Sequence, residues 1–123
     1  MLEIGMRNKI LGDQGESYAA QYLLRKGYRI LTRNYRTKVG EIDIIADDHG
    51  TLVFIEVKTR SSLRYGTPAE AVHYRKQQKI IQTAYWYLRM NHMENSFCRF
   101  DILEIYAAGS DWSVYHIKNA FEA

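Results

Sequence analysis

Two consecutive apolar segments with acids set inside them constrain this chain more than any other feature. Glu41-Ile42-Asp43-Ile44-Ile45-Ala46 and Thr51-Leu52-Val53-Phe54-Ile55-Glu56-Val57-Lys58 are rich in β-branched residues, and the turn composition Asp47-Asp48-His49-Gly50 separates them. The pattern predicts a β-hairpin. Apolar residues on both faces predict central strands of a covered sheet. Strand side chains alternate, so Glu41, Asp43 and Ile45 share one side of the first segment, and Phe54, Glu56 and Lys58 share one side of the second. A loop centred on Asp48-His49 pairs Ala46 with Thr51 and Asp43 with Phe54. That register places Asp43, Glu56 and Lys58 on one face, with Glu56 diagonal to Asp43.

Carboxylates so near a core need an ion, a cation or hydrogen bonds to offset their desolvation. Two of them at this spacing suit a shared divalent ion, and magnesium favours one or two carboxylates beside several waters. The Lys58 ammonium would orient a water or stabilise charge developing on a phosphate, and a metal-bound water is a ready nucleophile for phosphodiester hydrolysis. The Glu56-x-Lys58 triplet alone carries no such information, because a surface pair on an edge strand explains it better. Its conjunction with Asp43 on the partner strand and Glu16 on the inner stripe of a preceding helix points to a metal site.

That helix is predicted over Leu11 to Lys26. Ala19, Ala20, Leu23 and Leu24 form its apolar stripe, and Gly27 ends it. Tyr28 to Tyr35 has strand character. After a polar loop from Arg60 to Gly66, Thr67-Pro68-Ala69-Glu70 has the composition of a helix start. The stronger helical spacing begins near Tyr74 with Ile80, Ile81, Ala84 and Leu88, and Asn91-His92 ends it. Strands near Arg99–Ile105 and Ser113–Ile117 follow, joined by an Ala108–Asp111 turn. The expected order is helix, three strands, helix, two strands: one α/β domain over residues 1–123, with a mixed central sheet of about five strands.

The bulk numbers fit that expectation. A chain of 123 residues suits a single core, and no run approaches the length of a membrane span, so a soluble cytoplasmic protein without membrane contact is expected. Cys98 is the only cysteine, which leaves no internal disulfide or cysteine zinc site, and its strand setting reads as a small buried hydrophobe. His49, His73, His92 and His116 have no ligand spacing. From Arg25 to Lys79 there are twelve Lys/Arg against six Asp/Glu, whereas the remainder is net acidic. A basic middle suits a polyanion partner, and solvated basic helix faces account for it equally.

Gly15-Glu16, Arg33-Asn34-Tyr35-Arg36, Gly40–Ala46, Phe54–Arg60, Gly66-x-Pro68-x-Glu70-Ala71-Val72, Lys76 and Arg99-Phe100-Asp101 fit one pattern across nearly the whole chain. Together they closely resemble the YraN family of small bacterial proteins, which is similar to the restriction-endonuclease-like superfamily and nearest to archaeal Holliday-junction resolvases. The resemblance implies a restriction-endonuclease-like mixed sheet flanked by helices and an acidic site that binds Mg2+ or Mn2+. Asp43 and Glu56 match its metal-binding carboxylates, Lys58 its catalytic lysine and Glu16 the helix glutamate that completes the site. Lys76 and Gln77 fall where auxiliary polar residues stand on a following helix. Ile42 departs from the proline that usually precedes the aspartate.

The implied activity is endonuclease-like cleavage of structured or branched nucleic acid, most simply DNA. A non-catalytic nucleic-acid-binding module or a protein adaptor on the same fold is the alternative. Glu41 is an auxiliary candidate or a solvated strand-end glutamate. Arg33, Arg36, Lys38, Arg60 and Arg64 are candidates for phosphate contacts, with a solvated loop favoured for Lys38 and Arg64. Tyr35 and Tyr65 are candidates to stack on unpaired bases, whereas Tyr85, Trp86 and Tyr87 read as core or interface. A homodimer is expected by analogy with the resolvases.

Overall fold

The computed structural model describes residues 2–61 and 72–123. Its elements are α1 (Leu2–Arg25), β1 (Arg29–Arg36), β2 (Glu41–Asp48), β3 (Thr51–Arg60), α2 (Tyr74–Met90), β4 (Cys98–Ala108) and β5 (Asp111–Phe121). The order of elements is as expected. The strands form one five-stranded sheet in the order β1-β2-β3-β4-β5, antiparallel except for the parallel pair β3–β4. The connection between those two runs through α2, as a parallel pair requires. No helix among the described residues is long and apolar enough to cross a membrane.

The sheet is covered on both faces. Ala19, Ala20 and Leu23 of α1 pack with Ile44, Val53, Ile55, Leu103 and Ile105 on one side. On the other side Ile80, Ile81, Ala84 and Leu88 of α2 pack with Ile42, Ile45, Phe54, Phe100 and Ile102. The continuous apolar runs of β2 and β3 follow from that double burial.

Several expectations are corrected. Helix α1 begins some nine residues before Leu11, and the side chains from Met6 to Ile10 are exposed. A solvated helical turn carries no apolar stripe, so periodicity could not reveal it. Cys98 is exposed rather than buried; it opens β4 and its thiol donates to the Ser96 carbonyl. The hairpin register also differs. Its turn is the two residues His49 and Gly50, both with positive φ (51° and 98°), as a type I′ turn requires. Ala46 therefore pairs with Val53 and Ile45 with Phe54. This is a displacement of two residues from the expected pairing, and an even displacement keeps the residues it pairs, Ile44 to Asp48 with Thr51 to Ile55, on their predicted faces. The helix start expected at Thr67–Glu70, together with Arg64, Tyr65 and Gly66, lies outside the described residues. Helix α2 starts at Tyr74, with the His73 side chain accepting the Lys76 N–H as its cap.

Candidate metal centre

The site forms where β2 and β3 separate. Their pairing is regular from Asp48↔Thr51 to Ile44↔Ile55 and stops there. At the next position the Val57 N–H donates instead to Oδ2 of Asp43, at 2.8 Å. Strand alternation breaks at the same place: Ile42 and Ile45, three residues apart, both join the core under α2, while Ile44 joins the core under α1. Asp43 consequently sits between the two faces. It lines a cavity of about 230 Å³ on the α2 side with Gly40, Glu41, Glu56, Lys76 and Lys79. It also lines a cleft of about 450 Å³ on the α1 side with Glu16, Lys58, Asn34 and Arg36.

Glu16 reaches that cleft because α1 comes unusually close to β3. A Cβ built on Gly15 would lie 1.8 Å from Oγ1 of Thr59, so only glycine allows the helix to sit there. On the other face Lys76 extends from the first turn of α2, and its Nζ lies 2.7 Å from Oε1 of Glu56. Glu56 is itself buried.

The charges of the site bear on one another. Burial, and then the like charge of Glu56, push the Asp43 carboxyl up to about 7 despite the Val57 N–H. Burial raises the Glu16 carboxyl as well, against the lowering effect of Arg33. Burial, followed by the neighbouring Lys76 ammonium, holds the Lys58 amine below its usual range. Burial also opposes the charge of Lys76, but its hydrogen bond and ion pair with Glu56 outweigh that and raise its amine. Asp43, Glu56, Lys58 and Lys76 thus form one electrostatic unit, with Glu16 and Glu41 at its edge.

Among the described residues there is no group of three or more His, Cys, Asp or Glu side chains placed to hold an ion together. The donor set is the pair Asp43 and Glu56. Two adjacent carboxylates, one of them raised by the charge of the other, present the hard oxygen chemistry that suits a divalent ion with water completing its shell. The residues fit such an ion, provided Lys76 yields its place on Glu56.

The remaining candidates are distributed as follows. Arg33 lies 3.5 Å from Glu16, Arg36 lies 3.2 Å from Glu41, and Nε of Arg60 lies 3.0 Å from Glu104. Each proposed phosphate contact therefore already faces an acid. Gln77 donates its side-chain amide to the Val72 carbonyl, which ties down the start of α2. Tyr35 packs edge-on against Tyr87 at 5.2 Å between ring centres, so its ring belongs to the core under α2 and not to a stacking surface. Tyr87 is core, while Tyr85 and Trp86 are exposed.

Glu104 was not among the expected residues. It is fully buried, and the parallel register sets it beside Lys58. Arg60 binds its Oε2, and Oε1 has no hydrogen-bond partner among the described residues. Its signal was present in the sequence: an acid set inside the apolar run from Ile102 to Ala108.

Comparison with known proteins identifies the family of the chain. The model of the uncharacterised protein family UPF0102 matches residues 15–105, which span Glu16, Asp43, Glu56, Lys58, Lys76 and Glu104. A UPF0102 protein of Clostridioides difficile (strain 630) is 47% identical over 116 residues, covering 94% of this chain and 100% of the relative. A UPF0102 protein of Clostridium botulinum (strain Loch Maree / Type A3) is 50% identical over 118 residues, covering 94% and 96%. One from Persephonella marina (strain DSM 14350 / EX-H1) is 46% identical over 113 residues, covering 92% and 94%. With the family model and near-full-length relatives in agreement, the chain belongs to UPF0102, the YraN family.

Proposed function

We propose that the protein is a metal-dependent nuclease acting on structured or branched nucleic acid. The observation that carries this is the meeting of Asp43 and Glu56 beside two lysines at the one place where the central hairpin opens. Asp43 and Glu56 would hold Mg2+ or Mn2+. When bound, the ion supplies Lewis-acid chemistry at the scissile phosphate. Lys58, half-buried and with a depressed amine, is suited to orient a water or to donate to charge developing on phosphate oxygens. Glu16 lines the α1 side of the same cleft and would accept a hydrogen bond from that water. Arg33 and Arg36 reach phosphates by exchanging their present carboxylate partners for the substrate.

Labelled duplex, junction and flap substrates, incubated with Mg2+ or Mn2+, test the proposal. Wild type is expected to cut at least one of them, and Asp43→Asn and Glu56→Gln none. Wild type that cuts nothing, or cleavage equal in all three proteins, overturns it.

One observation favours a second function. The 2.7 Å contact of Lys76 with Glu56 already supplies an internal cation to the acidic pair. A site neutralised in this way suits a nucleic-acid-binding module without turnover. That function predicts salt-sensitive binding that Asp43→Ala leaves intact.

A further inference from the structure

A second polar cluster lies at the other end of β2 from Asp43, and the chemistry above does not use it. Asp48 marks its place, five residues along the strand, or about 17 Å at the usual rise. Its centre is Asp101, fully buried at a register shift between β4 and β5. The Asp101 carboxylate accepts four hydrogen bonds: Arg99 Nε at 2.9 Å, Arg99 Nη2 at 3.1 Å, the Asn119 N–H at 2.9 Å and His116 Nε2 at 2.7 Å. Burial works against its charge, but His116, Arg99 and the Asn119 N–H hold its carboxyl below the ordinary range. An ionised Asp101 can only accept, so His116 holds a proton on Nε2. The hydroxyl of Tyr22 lies 2.9 Å from Nδ1 of the same ring. Burial, then the charge of Asp101, raise the Tyr22 phenol, which keeps it a hydroxyl.

This relay ends in a cleft of about 520 Å³ lined by Tyr22, Lys26, Tyr28, Asp48, His116 and Lys118. Asp48 is already engaged by Arg99 at 3.1 Å and by His49 at 3.0 Å. Among the described residues, the cleft charges without an ion-pair partner are therefore the ammonium groups of Lys26 and Lys118. We propose that the cleft is a second ligand site, taking a phosphate monoester between Lys26 and Lys118 and against the Tyr22 hydroxyl. The dianion has three acceptor oxygens for these donors, and the volume is within the range of small-ligand sites.

Calorimetric titration with inorganic phosphate tests this in mildly alkaline solution, where the anion is a dianion. Wild type is expected to bind phosphate, and Tyr22→Phe to bind it a few-fold more weakly. The doubly substituted Lys26→Ala/Lys118→Ala protein, altered only at exposed positions, is expected to bind about tenfold more weakly or worse. The side-chain 15N signals of His116 should move when phosphate is added to wild type, because its ring lines the cleft. A 5′-phosphorylated oligonucleotide, its 5′-hydroxyl counterpart and free AMP separate a polynucleotide end from a small metabolite. Wild type that binds no phosphate, or binding unchanged in both variants, overturns the proposal. The titration needs neither metal nor cleavage, so its outcome is independent of the nuclease function.

Discussion

Asp43 and Asp101 are both enclosed aspartates on central strands, yet the protein treats them in opposite ways. Asp101 is wholly enclosed and accepts four hydrogen bonds, two of them from one guanidinium, so its charge is compensated within the fold. Asp43 accepts one backbone N–H and faces the carboxylate of Glu56, and its carboxyl is pushed up to about 7. Burial alone does not separate the two, since it opposes ionisation in both. The difference lies in how many donors the fold supplies. A fully supplied acid holds strands together, whereas an undersupplied one keeps free capacity for a cation or a proton from outside.

The comparison breaks first at Asp101. Asp101→Ala strips Arg99, His116 and the Asn119 N–H of a shared acceptor, and breaking a buried pair from one side costs about 3–5 kcal/mol. Urea unfolding should show that loss, and a loss under about 1 kcal/mol would mean that the cluster is not holding β4 to β5. Asp43→Asn should act in the other direction. A carboxyl raised from 3.8 in the unfolded chain to about 7 in the fold binds more protons folded than unfolded. Its effect on stability is therefore absent below about pH 4 and becomes a growing penalty as pH rises towards 7. Asp43→Asn should stabilise the protein above neutrality by an amount of order 2 kcal/mol, and the gain should vanish near pH 4. A gain independent of pH would show that Asp43 is not the group responsible.

The hairpin and the closeness of Asp43, Glu56 and Lys58 were legible because β-branched runs and a turn composition report directly on a covered sheet. The expected register was two residues out, since turn length is set by the φ angles of His49 and Gly50, which composition does not give. Face survives such an error and distance does not. The second cluster was not legible at all. Tyr22 and His116 are 94 residues apart, and Asp101 meets Asn119 only because the β4–β5 register shifts at that point. The exposed start of α1 left no periodic trace, and the pairing of Lys76 with Glu56 depends on how α2 lies across the sheet.

Smaller effects should distinguish the two clusters on α1, which touches both. Gly15→Ala places a methyl against Thr59, with Cβ 1.8 Å from Oγ1. Such overpacking costs about 1–3 kcal/mol and should displace Glu16 from the cleft of Asp43. Combining it with Thr59→Ala should recover part of the loss in thermal unfolding. The His116 side-chain 15N signals should move little, because Tyr22 lies two helical turns further along. An equal disturbance at His116 would show α1 to be one rigid lever across both sites.

The smallest change in stability is expected at Lys76, and it bears most directly on why Asp43 is undersupplied. Lys76 is partly exposed, so its pair with Glu56 is screened and its loss should cost within about 1 kcal/mol. The consequence for binding has the opposite sign. Lys76 occupies Oε1 of Glu56, and any ion shared by Glu56 and Asp43 must compete with that ammonium for the oxygen. Lys76→Gln should therefore tighten Mn2+ binding severalfold in a calorimetric titration near neutrality, roughly the worth of one partly screened ion pair. Asp43→Asn should abolish the same binding. If Lys76→Gln instead weakens Mn2+ binding, the lysine supports the ion and does not stand in for it, and Asp43 then keeps its low supply of donors for a proton.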